Sequence, residues 1–108
     1  MTVITIFQDP NDTYRGFSCS GHAGYARAGE DIVCSAISVL TINTINSISS
    51  FTDARFSVES DEETGYLEML LETPVDGGAE LLMKSLVLGL QGIQDNYQEY
   101  ITLNFKEV

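Results

Sequence analysis

The sequence predicts an α+β fold: two long helices packed on a mixed, largely antiparallel five-stranded sheet, in the order β-β-α-β-β-α-β. Three observations carry this. Five short runs rich in β-branched and aromatic residues read as strands, bounded by Gly, Pro, Asn and Asp. Two longer runs repeat their apolar residues at i, i+3 and i+4, the period of a helix with one buried face. A chain of 108 residues suffices for one hydrophobic core and not for two, so residues 1–108 should form a single domain.

The elements follow in order. Thr2 to Phe7 (TVITIF) is the first strand, and Gln8 to Asp12 (QDPND) supplies turn chemistry. Tyr14 to Gly21 returns as the second strand, with Arg15, Phe17, Cys19 and Gly21 on one face and Tyr14, Gly16, Ser18 and Ser20 on the other. Residues 22–30 are a loop. The first helix runs from about Ile32 to Ser50, with Val33, Ala36, Ile37, Leu40, Thr44 and Ile48 on its buried face. Ile32, Val39, Ile42 and Ile45 place apolar groups on its other sides, and no charge occurs between Asp31 and Asp53, which predicts burial nearly all round.

Ala54 to Glu59 and Tyr66 to Glu72 read as the third and fourth strands, around an acidic turn, Ser60 to Gly65 (SDEETG). Pro74 to Gly78 end the strand. The second helix, from about Ala79 to Gln98, should bury Leu82, Leu86, Leu90, Ile93 and Tyr97. Gly89 and Gly92 lower its helix propensity, which points to close approach of another element there. Tyr100 to Lys106 alternates as the fifth strand.

Sixteen acidic against five basic residues leave a net charge of −11. That argues against nucleic-acid binding, which needs a basic footprint, and suits a basic partner, whose encounter opposite charge accelerates. No window is expected to be long and apolar enough to span a membrane, and MTVITIFQDP lacks the basic and apolar regions of a signal peptide. The expected location is therefore the cytoplasm. Two cysteines are too few for a disulfide scaffold, and free thiols suit a reducing compartment.

Chemistry concentrates between Ser20 and Ser38 (SGHAGYARAGEDIVCSAIS). This stretch holds the only histidine, His22, and one of the two cysteines, Cys34. Asp31 reads as a helix N-cap, which places Cys34 in the first turn, where free amides and the positive end of the helix dipole favour a thiolate. His22 can fold back beside it as an imidazole partner. Asp31 serves either to fix the helix start or to hold His22. Taken singly, a cysteine on an apolar helix is a core residue and a lone histidine a structural one. Together, at a capped helix start beside a loop of small residues, they point to a Cys–His pair.

Other chemistries fit less well. Cys19, His22 and Cys34 provide no fourth His or Cys for structural zinc, and on a strand Cys19 and His22 would face opposite ways. The acidic turn lacks calcium-loop spacing, SAISVL after Cys34 is no phosphate loop, and no Gly-Lys-Ser/Thr occurs. No metal and no cofactor are therefore expected.

The pattern Gly21-His22-Ala23, Gly29, Asp31-Ile32-Val33-Cys34-Ser35-Ala36 and Ser38 resembles that of the ribosomal-processing cysteine proteases (Prp), a family of small bacterial proteins. The resemblance implies that His22 and Cys34 form a catalytic dyad. It implies as substrate a basic large-subunit ribosomal protein whose N-terminal extension is removed after an aromatic pair, and a homodimeric enzyme. Gly21, Asp31 and Ser38 become supporting or substrate-binding residues. Gly24 and Gly29 bracket the loop as candidate lid hinges. Amides at the helix start are candidate oxyanion donors. Acidity and small size would also suit a non-enzymatic binding or assembly factor for a basic ribosomal protein, which would not need the Cys34–His22 pair.

Overall fold

The computed structural model describes residues 1–27 and 30–108. Strands β1 (Thr2–Gln8), β2 (Tyr14–Ser20), β3 (Phe56–Asp61), β4 (Tyr66–Leu71) and β5 (Ile101–Glu107) alternate with helices α1 (Ile32–Phe51) and α2 (Gly77–Asn96) in the expected order. The strands form one sheet, β3-β4-β2-β1-β5. Every neighbour pair is antiparallel except β1 with β5, which run parallel from Thr2 opposite Ile101 to Gln8 opposite Glu107. A hairpin can join antiparallel neighbours, whereas the parallel pair needs a long crossover, to which α2 contributes.

The period-two pattern becomes a two-layer structure. Ile4 and Ile6 of β1, Phe17 and Cys19 of β2, and Met69 and Leu71 of β4 are all buried on one face. Their registers place Ile4 opposite Cys19, Ile6 opposite Phe17, and Phe17 opposite Met69, so one row of side chains crosses the central strands. Val33, Ile37 and Ile48 of α1 and Ala79, Met83, Leu86, Val87 and Leu90 of α2 complete the same core. On the opposite face, Val3 and Leu70 are exposed, as expected of an antiparallel sheet with one solvated side.

Several boundaries and faces differ from expectation. Asp76 caps α2 by accepting from the Ala79 amide at 3.0 Å, so the helix starts at Gly77 and draws in two glycines read as strand breakers. The third strand starts at Phe56 rather than Ala54. In α1, Thr41 is buried; its hydroxyl donates to the Ile37 carbonyl at 2.9 Å and is thereby satisfied in an apolar setting. Ile32, Val39, Ile42 and Phe51 stay 53%, 66%, 51% and 80% exposed, so this chain covers only one face of the helix. A β-carbon built at Gly89 would lie 2.9 Å from Leu40 Cδ1, so α1 and α2 do approach closely there. Gly92 has nothing within 4 Å and serves no such contact.

The expectation that no window could span a membrane is also corrected. Helix α1 is 20 residues with a window of mean hydropathy 1.5, long and apolar enough by length and composition. Its Ser, Thr and Asn residues are uncharged, so they lower hydropathy too little to exclude it. Its buried face nevertheless belongs to the core shared with the sheet.

Candidate active site

The second strand ends, α1 begins and the β3–β4 turn closes at the same edge of the molecule. A cleft of about 470 Å³ lies there, and both His22 and Cys34 line it. Ile37, Ser38, Thr41, Ile42 and Ile45 of α1 form one wall, and Val58, Ser60, Tyr66 and Leu67 of the β3–β4 hairpin face them. The walls are mostly apolar. Asp61 and Glu62 are the only charged side chains among the lining residues, so the cleft is acidic at its hairpin end.

Asp31 organises the helix start. Its Oδ1 accepts from the amides of Val33 at 3.0 Å and Cys34 at 2.9 Å, the expected N-cap. Its Oδ2 accepts from the amides of Tyr25 at 3.0 Å and Ala26 at 3.4 Å, binding the loop to the helix. Burial alone would raise its carboxyl, but the amides of Cys34, Ala26 and Tyr25 and the Cys34 side chain outweigh this and hold it below the usual carboxylate range. The alternatives for Asp31 thus resolve towards the cap: both oxygens are engaged by backbone amides rather than by His22.

This cap bears on the oxyanion donors expected at the helix start. Of the amides at the helix start, those of Val33 and Cys34 donate to Asp31. The Ala23 amide donates to Cys34 Sγ at 3.1 Å. A donor at that position complements negative charge on the sulfur.

The remaining sequence-selected residues separate clearly. Cys34 is half-buried and Ser38 exposed, both on the cleft wall one helical turn apart. Gly21 lines the cleft at φ +85, and a β-carbon there would lie 2.8 Å from the Met1 carbonyl oxygen, so the N-terminal strand can pass only a glycine. Gly24 is also at positive φ, +76. Gly29, the other candidate hinge, lies outside the described residues. Tyr25 packs edge-on against Tyr97 at 5.7 Å and Tyr100 at 5.1 Å, which ties the loop to the end of α2. Cys19 and His22 line the same cleft, contrary to the opposite-face expectation, because His22 lies beyond the end of β2 and strand alternation no longer applies. Burial pushes the Cys19 thiol up to about 12, which makes it unreactive at neutral pH. Among the described residues no group of three or more His, Cys, Asp or Glu side chains is arranged to hold a metal ion.

Sequence reasoning missed the contributions of Ala23 and Gly65. Ala23 acts through its backbone, which side-chain identity does not reveal. Gly65, at φ +68, was legible as a turn residue, but its contact with His22 was not.

A thiol at a capped helix start and an imidazole in one substrate-sized, mostly apolar cleft are the groups of a cysteine-dependent hydrolase. The comparisons agree. The model of the family described as cysteine protease Prp matches residues 1–102, and the chain belongs to that family. The ribosomal processing cysteine protease Prp of Staphylococcus aureus (strain Mu50) is 30% identical over 86 residues, 80% of this chain and 81% of that protein. Crystal structures of the S. aureus protease superpose with a TM-score of 0.94 (covalently linked product peptide, 26% identity) and 0.88 (substrate peptide, 25% identity). Each covers 98% of this chain and 100% of the other. The protein is therefore a cysteine protease, and the non-enzymatic alternative loses its support.

Proposed function

We propose that this protease removes the N-terminal extension of a basic large-subunit ribosomal protein, with Cys34 as nucleophile and His22 as its proton-transfer partner. The observation that carries the reading is that His22 and Cys34 line one cleft, with the Ala23 amide donating to the sulfur at 3.1 Å. His22 takes the thiol proton as the Cys34 sulfur bonds to the scissile carbonyl carbon. The tetrahedral intermediate collapses by breaking the C–N bond, and His22 returns the proton to the leaving amine. Water then attacks the thioester, losing a proton to His22, and the thiol is regenerated with release of the carboxylic acid. The Ala23 amide, which donates to the Cys34 sulfur, is a backbone candidate for the developing oxyanion. The apolar walls suit the bulky residues before the scissile bond, and the acidic hairpin end suits a basic partner.

The 108 residues act as one protease domain without a cofactor, away from nucleic acid and membrane, in the cytoplasm. The two free cysteines suit a reducing compartment. The enzyme is a homodimer covering the exposed apolar groups of α1 or α2, since Val39, Leu81 and Leu88 are 66%, 67% and 72% exposed. A peptide spanning the extension boundary tests the assignment by mass spectrometry. Wild type should cut it once, while Cys34→Ser should leave it whole and His22→Ala should lose at least about 100-fold in rate. Normal cleavage by Cys34→Ser would overturn the assignment.

A further inference from the structure

The imidazole of His22 makes no hydrogen bond to another residue among the described residues, and the turn glycine Gly65 lies against its ring. Gly65 ends the β3–β4 turn, with its amide donating to the Glu62 carbonyl at 3.3 Å and its backbone at φ +68. A β-carbon at this position would lie 3.0 Å from His22 Cε1 and 2.7 Å from the Gly21 carbonyl oxygen. The approach to the Gly21 carbonyl is closer than a carbon can pack, and the approach to the ring is tight enough that the ring must give way by a few tenths of an ångström, so the ring and the end of β2 keep these positions because Gly65 has no side chain.

We propose that Gly65 is a positioning residue for His22, its bare Cα forming the seat that sets the angle of the imidazole towards Cys34. The inference rests on the reading of His22 as the proton-transfer group. A base of this kind is usually oriented by a third group through a hydrogen bond. Here the described residues offer contact instead. The register supports this: Cys19 of β2 lies opposite Leu67 of β4, so the end of one strand meets the start of the other, and the turn closes directly over Gly21 and His22. Any side chain at position 65 must push the Gly21 carbonyl and shift the ring by a few tenths of an ångström, and since a displacement of about 1 Å at a catalytic group can cost about 100-fold in rate, this smaller shift should cost less than that.

The chain has one histidine, so its imidazole NMR signals report His22 alone. In the wild type, a nuclear Overhauser contact should link the Gly65 Hα protons to His22 Hε1; its absence would overturn the proposal whatever the variants do. In Gly65→Ala and Gly65→Asn the Hε1 shift and its pH titration should change. Cleavage should fall in kcat by about 3- to 10-fold, with KM changing by less than about twofold. Asparagine tolerates positive φ better than alanine, so it separates backbone strain from collision. If Gly65→Asn keeps both the wild-type spectrum and the wild-type kcat, the glycine serves the turn alone and the proposal fails. Full cleavage by His22→Ala would sink the dyad reading while leaving the contact and shift measurements to judge the seat.

Discussion

Replacing Asp31 tests whether one carboxylate both starts α1 and holds the loop. In Asp31→Asn, the remaining side-chain oxygen can still cap the Val33 and Cys34 amides, and Asn is as good an N-cap as Asp. Its amide group then faces the Tyr25 and Ala26 amides, donor against donor. The 3.0 Å loop bond to a charged acceptor is worth about 1.5 kcal/mol and the 3.4 Å bond less, so Asn should cost about 2 kcal/mol. Asp31→Ala removes the cap as well, adding about 1 kcal/mol. For a domain of this size these translate to Tm losses of about 10 °C and 15 °C. The sign with pH follows from the depressed carboxyl: its contribution is complete above the unfolded value, about 3.9, and is lost as pH falls through the lower folded value. Acid unfolding below about pH 4 should therefore be less steep in Asn than in wild type. Differential scanning calorimetry gives the stabilities, and hydrogen exchange at Tyr25 and Ala26 gives the loop. Wild-type exchange at those two amides in Asp31→Asn would refute the clamp.

Iodoacetamide at neutral pH should label Cys34 in the folded protein and reach Cys19 only on unfolding, because Cys19 is 5% exposed and its thiol is pushed up to about 12; equal labelling by mass spectrometry would contradict this. Gly92→Ala should raise stability by about 1 kcal/mol, as the site is open and helical, while Gly89→Ala gains less because its β-carbon meets Leu40; calorimetry that reverses the order would refute the packing account. Sedimentation at micromolar concentration should give twice the 11.8 kDa chain mass, and Val39→Asp or Leu88→Asp should shift it towards monomer; a wild-type monomer would exclude the dimer.

The sequence determined the element order and the two faces of the second strand, because these depend on local periodicity. Arg15, Phe17 and Cys19 share one face of β2 by alternation, and Phe17 and Cys19 are the buried pair of that face. It also determined the cap at Asp31 and the position of Cys34 in the first helical turn, since both follow from a helix start read over four residues. Tertiary structure decided what depends on distant segments meeting. The parallel pairing of β5 with β1 places strands a hundred residues apart side by side, and no local pattern encodes that choice. Asp31 could engage His22 or the loop amides, and only the folded path of residues 23–26 brings those amides to its second oxygen. Cys19 and His22 share a cleft because the strand stops at Ser20, a boundary set by pairing rather than by composition. Gly65 reads as an ordinary turn residue until the hairpin closes over His22, and then the absence of one carbon becomes a feature of the site.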